Sequence, residues 1–240
     1  MSKLPPSPSQ ATPSADFIEQ TFRLPKWKAQ PLLQATSSRS LSFDAFLARW
    51  ELKQPDVVWA EQVHSAGIAS VSSEDRGRER IACDGLVTQE TGLPLAIRSA
   101  DCSPVFFYDP DHVVIGIAHV GWRGLAADLP TAMVKHLRKA FDVDPTALLV
   151  GLGPTIRSCC YEVQADVSNL LREDCEFRGS RTMLDVPRGI IRRLERAGVK
   201  PSHISDGALC TACHVDRCYS VRREGASTGR LLSLLMLKQD

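Results

Sequence analysis

The chain has almost no net charge, and this lack excludes a large class of functions. Its 29 lysines and arginines nearly balance its 28 aspartates and glutamates, for a formal charge of +1 over 240 residues. So small an excess would not draw the protein to nucleic acid or to an anionic membrane. Small molecules are therefore the expected partners.

Long apolar runs and an export signal are also missing. The strongest apolar run near the C-terminus covers only residues 231–237, whereas a membrane-spanning helix needs about 20 apolar residues. Residues 1–15 carry four prolines among polar residues and lack the apolar core of a secretory signal. They predict a disordered tail, followed by a single domain over residues 16–240. The eight cysteines are then expected as free thiols or metal ligands in the cytoplasm.

The pattern of apolar residues predicts an α+β fold. Strands are predicted at 17–24, 31–35, 57–63, 67–71, 85–88, 93–97, 105–108, 113–119, 148–152, 218–221 and 231–237. Helices are predicted at 43–50, 163–171 and 186–197, and another follows Asp128 as N-cap, with Pro130 in its first turn. Because helices and strands do not alternate strictly, a layered sandwich is favoured over a doubly wound sheet.

Three possible metal ligands each end or flank a predicted strand: His64, Cys102 and His119. Two imidazoles and a thiolate supply three ligands and leave a fourth position open, as catalytic zinc sites do. The same ligand types also suit copper. Taken singly, each residue could also have a purely structural role, because a lone histidine is usually only hydrogen-bonded and a free cysteine usually packs as a small apolar side chain.

The loop from His119 to the next helix contains Gly121, Arg123 and Gly124. Backbone amides at such a strand-to-helix turn, together with an arginine, can hold an anion such as phosphate. The alternative is that both glycines only satisfy the backbone angles of the turn while Trp122 packs in the core.

Several motifs, in this order and spacing, resemble one known family. They are Gln62–His64, Asp84–Thr88, Ala100–Val105, Ala118–Gly124, Gly153–Ile156, Cys160–Val163, Cys210–Thr211, Tyr219–Arg223 and Thr228–Arg230. The family was once described as multicopper polyphenol oxidases, or the laccase domain, and is now regarded as purine nucleoside phosphorylases. The resemblance implies zinc on His64, Cys102 and His119, and a sandwich fold akin to the catalytic domain of cytotoxic necrotizing factor.

The resemblance also implies substrates. Relatives cleave adenosine, inosine and methylthioadenosine with phosphate, and deaminate adenosine. The chain departs from the family before the first ligand, where members often carry asparagines, because its one asparagine is Asn169. Six histidines without a His-x-His pair are also too few for a set of several coppers, although a single copper centre stays open.

Roles for further residues follow from this hypothesis. Arg123, with the amides near Gly121 and Gly124, is the expected phosphate site, and Arg222, Arg223 and Arg230 are weaker candidates. Asp84 and Asp101 are expected to orient the ligating imidazoles rather than to act as acid or base.

Other functions remain open at this stage. Cys102 and His119 could form a metal-free hydrolase or amidase, the substrate could be a peptidoglycan precursor, or the protein could bind metal without catalysis. Cys210 and Cys213, with Cys218 and His214, have the spacing of a second zinc site, but a loop without metal is favoured.

Overall fold

The computed structural model describes residues 21–24 and 27–239, and most of its strands form two six-stranded sheets. In spatial order, the first sheet contains β1 (Thr21–Phe22), β2 (Leu32–Ser37), β14 (Leu231–Leu237), β7 (Leu95–Ser99), β3 (Val58–Ala60) and β5 (Glu79–Arg80). The second contains β13 (Ile204–Asp206), β10 (Leu149–Leu152), β8 (Ser103–Asp109), β9 (Val114–Val120), β6 (Gly85–Thr88) and β4 (Ile68–Ser70). A separate hairpin joins β11 (Cys175–Arg178) and β12 (Arg181–Leu184).

Helices pack on the outer faces of both sheets or lie in the connections between strands. They are α1 (Phe43–Ala48), α2 (Trp122–Ala126), α3 (Leu129–Phe141), α4 (Ala165–Leu170), α5 (Val186–Arg196) and α6 (Val221–Glu224). Short 3-10 turns occupy residues 54–56, 73–75, 172–174 and 201–203. In the described part of the chain, no helix combines the length and apolar character that a bilayer crossing requires.

Strand β8 shows why the layers form. Successive side chains of a strand point to opposite faces, so Phe106 and Tyr108 pack against the first sheet while Val105 and Phe107 pack toward α3 and α5. Because both faces are buried, β8 is apolar along most of its length rather than alternating. Strand β8 therefore separates two parts of the core, one between the sheets and one between the second sheet and helices α3 and α5.

The outer face of the first sheet is covered by α1, whose Phe46 and Leu47 pack on Leu33 and Leu232. The molecule is thus a helix–sheet–sheet–helix sandwich, and the expected α+β class with mixed sheets and flanking helices is confirmed.

One edge of the second sheet brings together the segments that contain the predicted site residues. β8 and β9 are antiparallel, with Ser103 opposite Val120, so the start of β8 lies beside the end of β9. Pairing of Gly85 with both Ala118 and Ile68 brings the starts of β6 and β4 to the same edge. β10 and β13 are parallel to each other and also end there. Residues just outside these strand ends become neighbours, although they are far apart in the sequence.

The structure corrects several local predictions. Residues 218–221 do not form a strand, because the Ser220 hydroxyl accepts the Arg223 amide and starts helix α6. Asp128 does precede α3, but in a left-handed conformation and without a side-chain cap. The short strands β5, β11, β12 and β13 were not predicted. The predicted tail and the first half of the predicted strand at 17–24 lie outside the described residues, and Thr21–Phe22 in its second half form β1.

Candidate metal and substrate site

His64, Cys102 and His119 lie close together at the edge of the second sheet described above. Their ligand atoms all lie within 4.8 Å of one another, and the two imidazole rings meet edge to face with centroids 5.0 Å apart. Cys102 directly precedes β8, His119 is the penultimate residue of β9, and His64 lies in the loop before β4. The three residues predicted from the sequence as ligands are therefore brought together.

Asp84 orients two of the three ligands. Its buried carboxylate accepts a hydrogen bond from His119 Nδ1 at 3.0 Å and from the backbone amide of His64 at 3.1 Å, and Ser65 donates from its amide and hydroxyl. Burial would raise the pKa of Asp84, but these hydrogen bonds lower it below its usual value. With Nδ1 bound to a carboxylate, Nε2 is the His119 nitrogen left for a metal or a substrate.

Cys102 and His119 form a charged pair when no metal is present. Burial opposes ionisation of Cys102, but the His119 charge and hydrogen bonds with both imidazoles lower the pKa of the thiol to about 6. Burial likewise opposes the charge on His119, yet Cys102 and Asp84 raise the pKa of that imidazole to about 9. At neutral pH the sulfur is therefore a thiolate, which can bind a metal or attack an electrophile.

The donor set fits a first-row transition metal. A tetrahedral zinc ion with bonds of about 2.0 to 2.3 Å needs ligand atoms roughly 3.5 Å apart. The three donor atoms, within 4.8 Å of one another, reach that spacing with small side-chain movements. Each is of a type that zinc and copper both accept.

Asp101 has a different role from the one predicted. Its carboxylate accepts from the Thr211 hydroxyl at 2.6 Å and from the Arg222 amide at 2.7 Å, and it bonds to neither ligating imidazole. Its backbone has φ of 89°, a conformation that is uncommon for residues other than glycine. Asp101 therefore holds the bend before Cys102 and connects it to the loop at Thr211 and to the start of α6 at Arg222.

Gly121 is required by close packing rather than by its backbone angles. Its φ of −101° is available to any residue, but a Cβ placed there would lie 2.6 Å from Cys102 Sγ. The interpretation that both glycines serve the angles of the turn is therefore wrong for Gly121. Gly124 lies buried inside the short helix α2 and does not line the pocket, unlike Gly121 and Arg123.

The pocket over these ligands is positively charged. It has a volume of about 520 Å³, and its walls include Arg98, Arg123, Arg222, Arg230, Trp122 and Tyr161. Two carboxylates also reach it, but Glu61 accepts the Ala82 amide and Asp101 is engaged as described. Such a lining suits a ligand that combines an anion with an apolar ring.

The pocket arginines and the neighbouring Arg223 differ in how firmly they are held: Arg98 is paired with Glu79, and Arg230 donates to the Gly229 and Ala226 carbonyls. Arg123 lies over the Trp122 indole at 4.3 Å and has no carboxylate partner within the described residues. Arg222 stacks on Tyr161 at 4.9 Å and donates to the Glu162 carbonyl. Arg223, by contrast, donates to three backbone carbonyls and thereby stabilises the loop at 211–218. It is therefore not available for phosphate.

Gln62 and the strained loop around it were not recognised as functional from the sequence. Gln62 and His64 both have φ of 61°, a conformation that costs roughly 1–3 kcal/mol for a residue other than glycine. The Gln62 side chain donates from Nε2 to the Arg98 carbonyl at 2.6 Å, and its Oε1 accepts the Arg98 backbone amide at 2.8 Å. These two bonds extend the pairing of β3 with β7 beyond the end of β3. These bonds and those of Asp84 hold His64 in place. Sequence carries no periodic signal for such a loop.

The second predicted cysteine site is also composed differently. Cys210 and Cys213 lie together, but their neighbours are Cys159 and Cys160, with all four sulfur atoms within 4.8 Å of one another. Cys218 and His214 do not belong to this group. The His214 ring bonds instead to the Cys210 carbonyl at 2.9 Å.

Comparison with known proteins assigns a family. Residues 41–238 match the family model described as multi-copper polyphenol oxidoreductase laccase. A relative from Geobacillus stearothermophilus, named purine nucleoside phosphorylase YlmD, is 32% identical over 94% of this chain and 80% of its own length. Another from Streptomyces coelicolor, also named a purine nucleoside phosphorylase, is 36% identical over 75% of each chain.

A solved structure shares the fold. The hypothetical protein YfiH of Bacillus licheniformis superposes with a TM-score of 0.83 at 26% identity, covering 89% of this chain and 94% of that one. The overall fold is thus shared with a known protein structure.

Proposed function

Because this chain belongs to the family described as multi-copper polyphenol oxidoreductase laccase, we propose that it is a zinc-dependent purine nucleoside phosphorylase. Relatives that cover most of the chain carry the phosphorylase name. The observation that carries the proposal is the convergence of His64, Cys102 and His119 in a pocket lined by arginines. Adenosine, inosine and methylthioadenosine are the proposed substrates, and phosphate is the second one.

The chemistry requires two kinds of stabilisation. Cleavage of an N-glycosidic bond by phosphate gives the sugar cationic, oxocarbenium-like character, while the purine leaves with negative charge. An enzyme must therefore hold an anionic nucleophile near the sugar and stabilise or protonate the base. A positively charged pocket beside a buried imidazole offers both.

Arg123 is the proposed phosphate ligand. Its guanidinium lines the pocket and lies against Trp122, which limits its motion while leaving its N–H groups free to bind an anion in a bidentate manner. Arg222 is a secondary candidate, because part of its guanidinium is engaged by the Glu162 carbonyl. The aromatic faces of Trp122 and Tyr161 provide apolar surface on which a purine can stack.

The three ligands are assigned to zinc. When bound, the ion would supply a Lewis acid with an open coordination position, able to polarise an oxygen of phosphate or of water. Asp84 then keeps His119 in the correct tautomer. A multi-copper centre is not proposed, since His112, His136, His203 and His214 do not line the pocket. A single copper remains an outcome that metal analysis decides.

The deciding experiment is a product analysis. Purified protein is incubated with adenosine, inosine and methylthioadenosine, with and without phosphate, while free base, sugar phosphate and ammonia are followed. We expect base and sugar phosphate only when phosphate is present, and ammonia from adenosine if the same centre also deaminates. Absence of base with every nucleoside would overturn the proposal.

Arg123→Gln tests the assignment of phosphate. Loss of a charge-assisted, bidentate contact should raise KM for phosphate about tenfold or more while changing KM for the nucleoside less. Arg138→Gln on the exposed side of α3 is the matched control and should leave both constants unchanged. Equal effects on both KM values in the Arg123 variant would remove that residue from the phosphate site.

A thiol hydrolase is the second candidate, favoured by the thiolate–imidazolium pair of Cys102 and His119. It needs no metal. Activity that survives complete metal removal but is lost on alkylation of Cys102 would support this candidate over the phosphorylase.

A further inference from the structure

Four cysteines outside the pocket form a compact group. Cys159 and Cys160 lie in the turn after β10, and Cys210 and Cys213 lie in the loop after β13. Cys213 Sγ is 3.3 Å from Cys160 Sγ and 3.6 Å from Cys159 Sγ, and all four sulfur atoms lie within 4.8 Å of one another. This four-cysteine cluster shares no residue with the His64–Cys102–His119 set.

The backbone holds the two cysteine loops side by side. β10 and β13 are parallel neighbours, so the segments that follow them leave the same sheet edge. The Thr155 amide donates to the Leu209 carbonyl and the Thr211 amide to the Thr155 carbonyl, both at 3.1 Å. Arg157 and Asp206 add a two-bond ion pair between the same two segments. The cluster is thus a consequence of sheet topology and not of loops that meet by chance.

The donor chemistry matches a closed zinc site. Four thiolates around one tetrahedral ion, with Zn–S bonds of about 2.3 Å, lie about 3.8 Å from one another, close to the separations found here. Two of the ligands come from a Cys-x-x-Cys turn, a spacing that suits one ion. A full set of four protein donors leaves no position for a substrate, which distinguishes structural from catalytic zinc sites.

We propose that Cys159, Cys160, Cys210 and Cys213 bind a structural zinc ion, separate from the metal in the pocket. The ion joins two segments that form part of the pocket wall. Tyr161, which lines the pocket, directly follows Cys160, and Thr211, between Cys210 and Cys213, donates to the Asp101 carboxylate beside Cys102. Zinc in the four-cysteine cluster therefore stabilises the wall without taking part in the reaction.

Metal stoichiometry of single-site and double-site variants tests the proposal. In protein purified under reducing conditions, mass spectrometry of the metals should find about two zinc ions per chain. His119→Ala should retain about one, held by the cysteines, and the double variant C160S/C213S should retain about one, held in the pocket. Combining all three substitutions should leave none.

Cys218→Ala is the matched control, because Cys218 lies in the same loop but outside the cluster, and about two ions should remain. Loss of all zinc in His119→Ala, or retention of two ions in C160S/C213S, would contradict the proposal. So would iron in place of zinc, or a Cys160–Cys213 disulfide in metal-free protein isolated under the same conditions. If C160S/C213S does not fold, the zinc content of His119→Ala still decides, because that variant keeps all four cysteines.

A structural role also predicts how activity responds. Selective loss of the cluster zinc should lower the midpoint of thermal unfolding and raise KM for the nucleoside, while the pocket keeps its own metal. The zinc count does not depend on turnover, so a failed phosphorylase assay and a failed second site give distinguishable results.

Discussion

Two buried aspartates of the described residues each bind a histidine Nδ1, yet only one of the two pairs lies at the candidate site. Asp84 and His119 are 3.0 Å apart at the pocket end of the second sheet. Asp109 and His112 are 2.8 Å apart at the opposite end, where Asp109 ends β8 and His112 lies in the turn before β9. Both carboxylates are fully buried, but the His119 side chain is 5% exposed and that of His112 is 37% exposed.

The difference shows that an aspartate–histidine pair is not in itself a site. Asp109 also accepts the Asp111 amide, so its pair closes a turn. Beside His119, by contrast, lie a thiolate and a second imidazole, and a pocket opens above them. Function therefore depends on what faces the other nitrogen of the ring.

The largest expected effect comes from His119→Ala. Loss of the ligand should abolish turnover and metal binding in the pocket while leaving the fold intact, because the remaining layers of the sandwich keep their packing. Nucleoside assays, metal analysis and circular dichroism measure the three properties. His112→Ala is the control and should retain activity, and unchanged kinetics in His119→Ala would remove this residue from the mechanism.

Asp84→Asn should have the next largest effect. The amide cannot accept all the bonds that the carboxylate accepts, so His119 and the His64 loop lose their orientation, and metal affinity or activity should fall about 10- to 100-fold. Asp109→Asn breaks the analogous pair and should cost roughly 1–3 kcal/mol of stability without changing metal affinity. Equal metal affinities in the two variants would show that Asp84 does not support the site.

Gly121→Ala tests the contribution of Cys102 to the site while leaving the Asp84–His119 pair intact. The added methyl group would press on Cys102 Sγ, whereas both aspartate–histidine pairs keep their bonds. Overpacking of this kind costs about 1–3 kcal/mol, so metal affinity should fall about 10-fold or more. Gly179→Ala is a control for a glycine outside the site: its Cβ meets nothing within 4 Å, and although the φ of +60° strains an alanine there and lowers stability, metal affinity should stay unchanged.

The smallest effect is expected for His112→Gln and depends on pH. The hydrogen bond to Asp109 raises the pKa of His112 above its usual value. A raised pKa in the folded state contributes stability that is complete below the unfolded pKa of about 6.5 and is lost as pH rises through the folded value. The variant should therefore unfold at a lower temperature than wild type near pH 6, and the difference should shrink as pH rises through the raised pKa of His112. A difference that grows with pH would contradict this assignment.

Much of the fold was predictable where both faces of a strand are buried. The predicted strands at 85–88 and 231–237 agree with β6 and β14 at both ends, because continuous apolar runs between turn residues leave few alternatives. Residues 218–221 were wrongly predicted as a strand because an apolar pattern outweighed the local capping signal of Ser220. Likeness to the cytotoxic necrotizing factor domain stays a prediction.

Sequence by itself identified the candidate ligands in the pocket, since His64, Cys102 and His119 each lie at or beside a predicted strand, and such positions can meet at one edge of a sheet. Only the tertiary structure decided which cysteines become neighbours of Cys210 and Cys213. Local spacing favoured Cys218, but the partners are Cys159 and Cys160, because parallel pairing of β10 with β13 joins segments about fifty residues apart. Such non-local pairing leaves no periodic pattern along the chain.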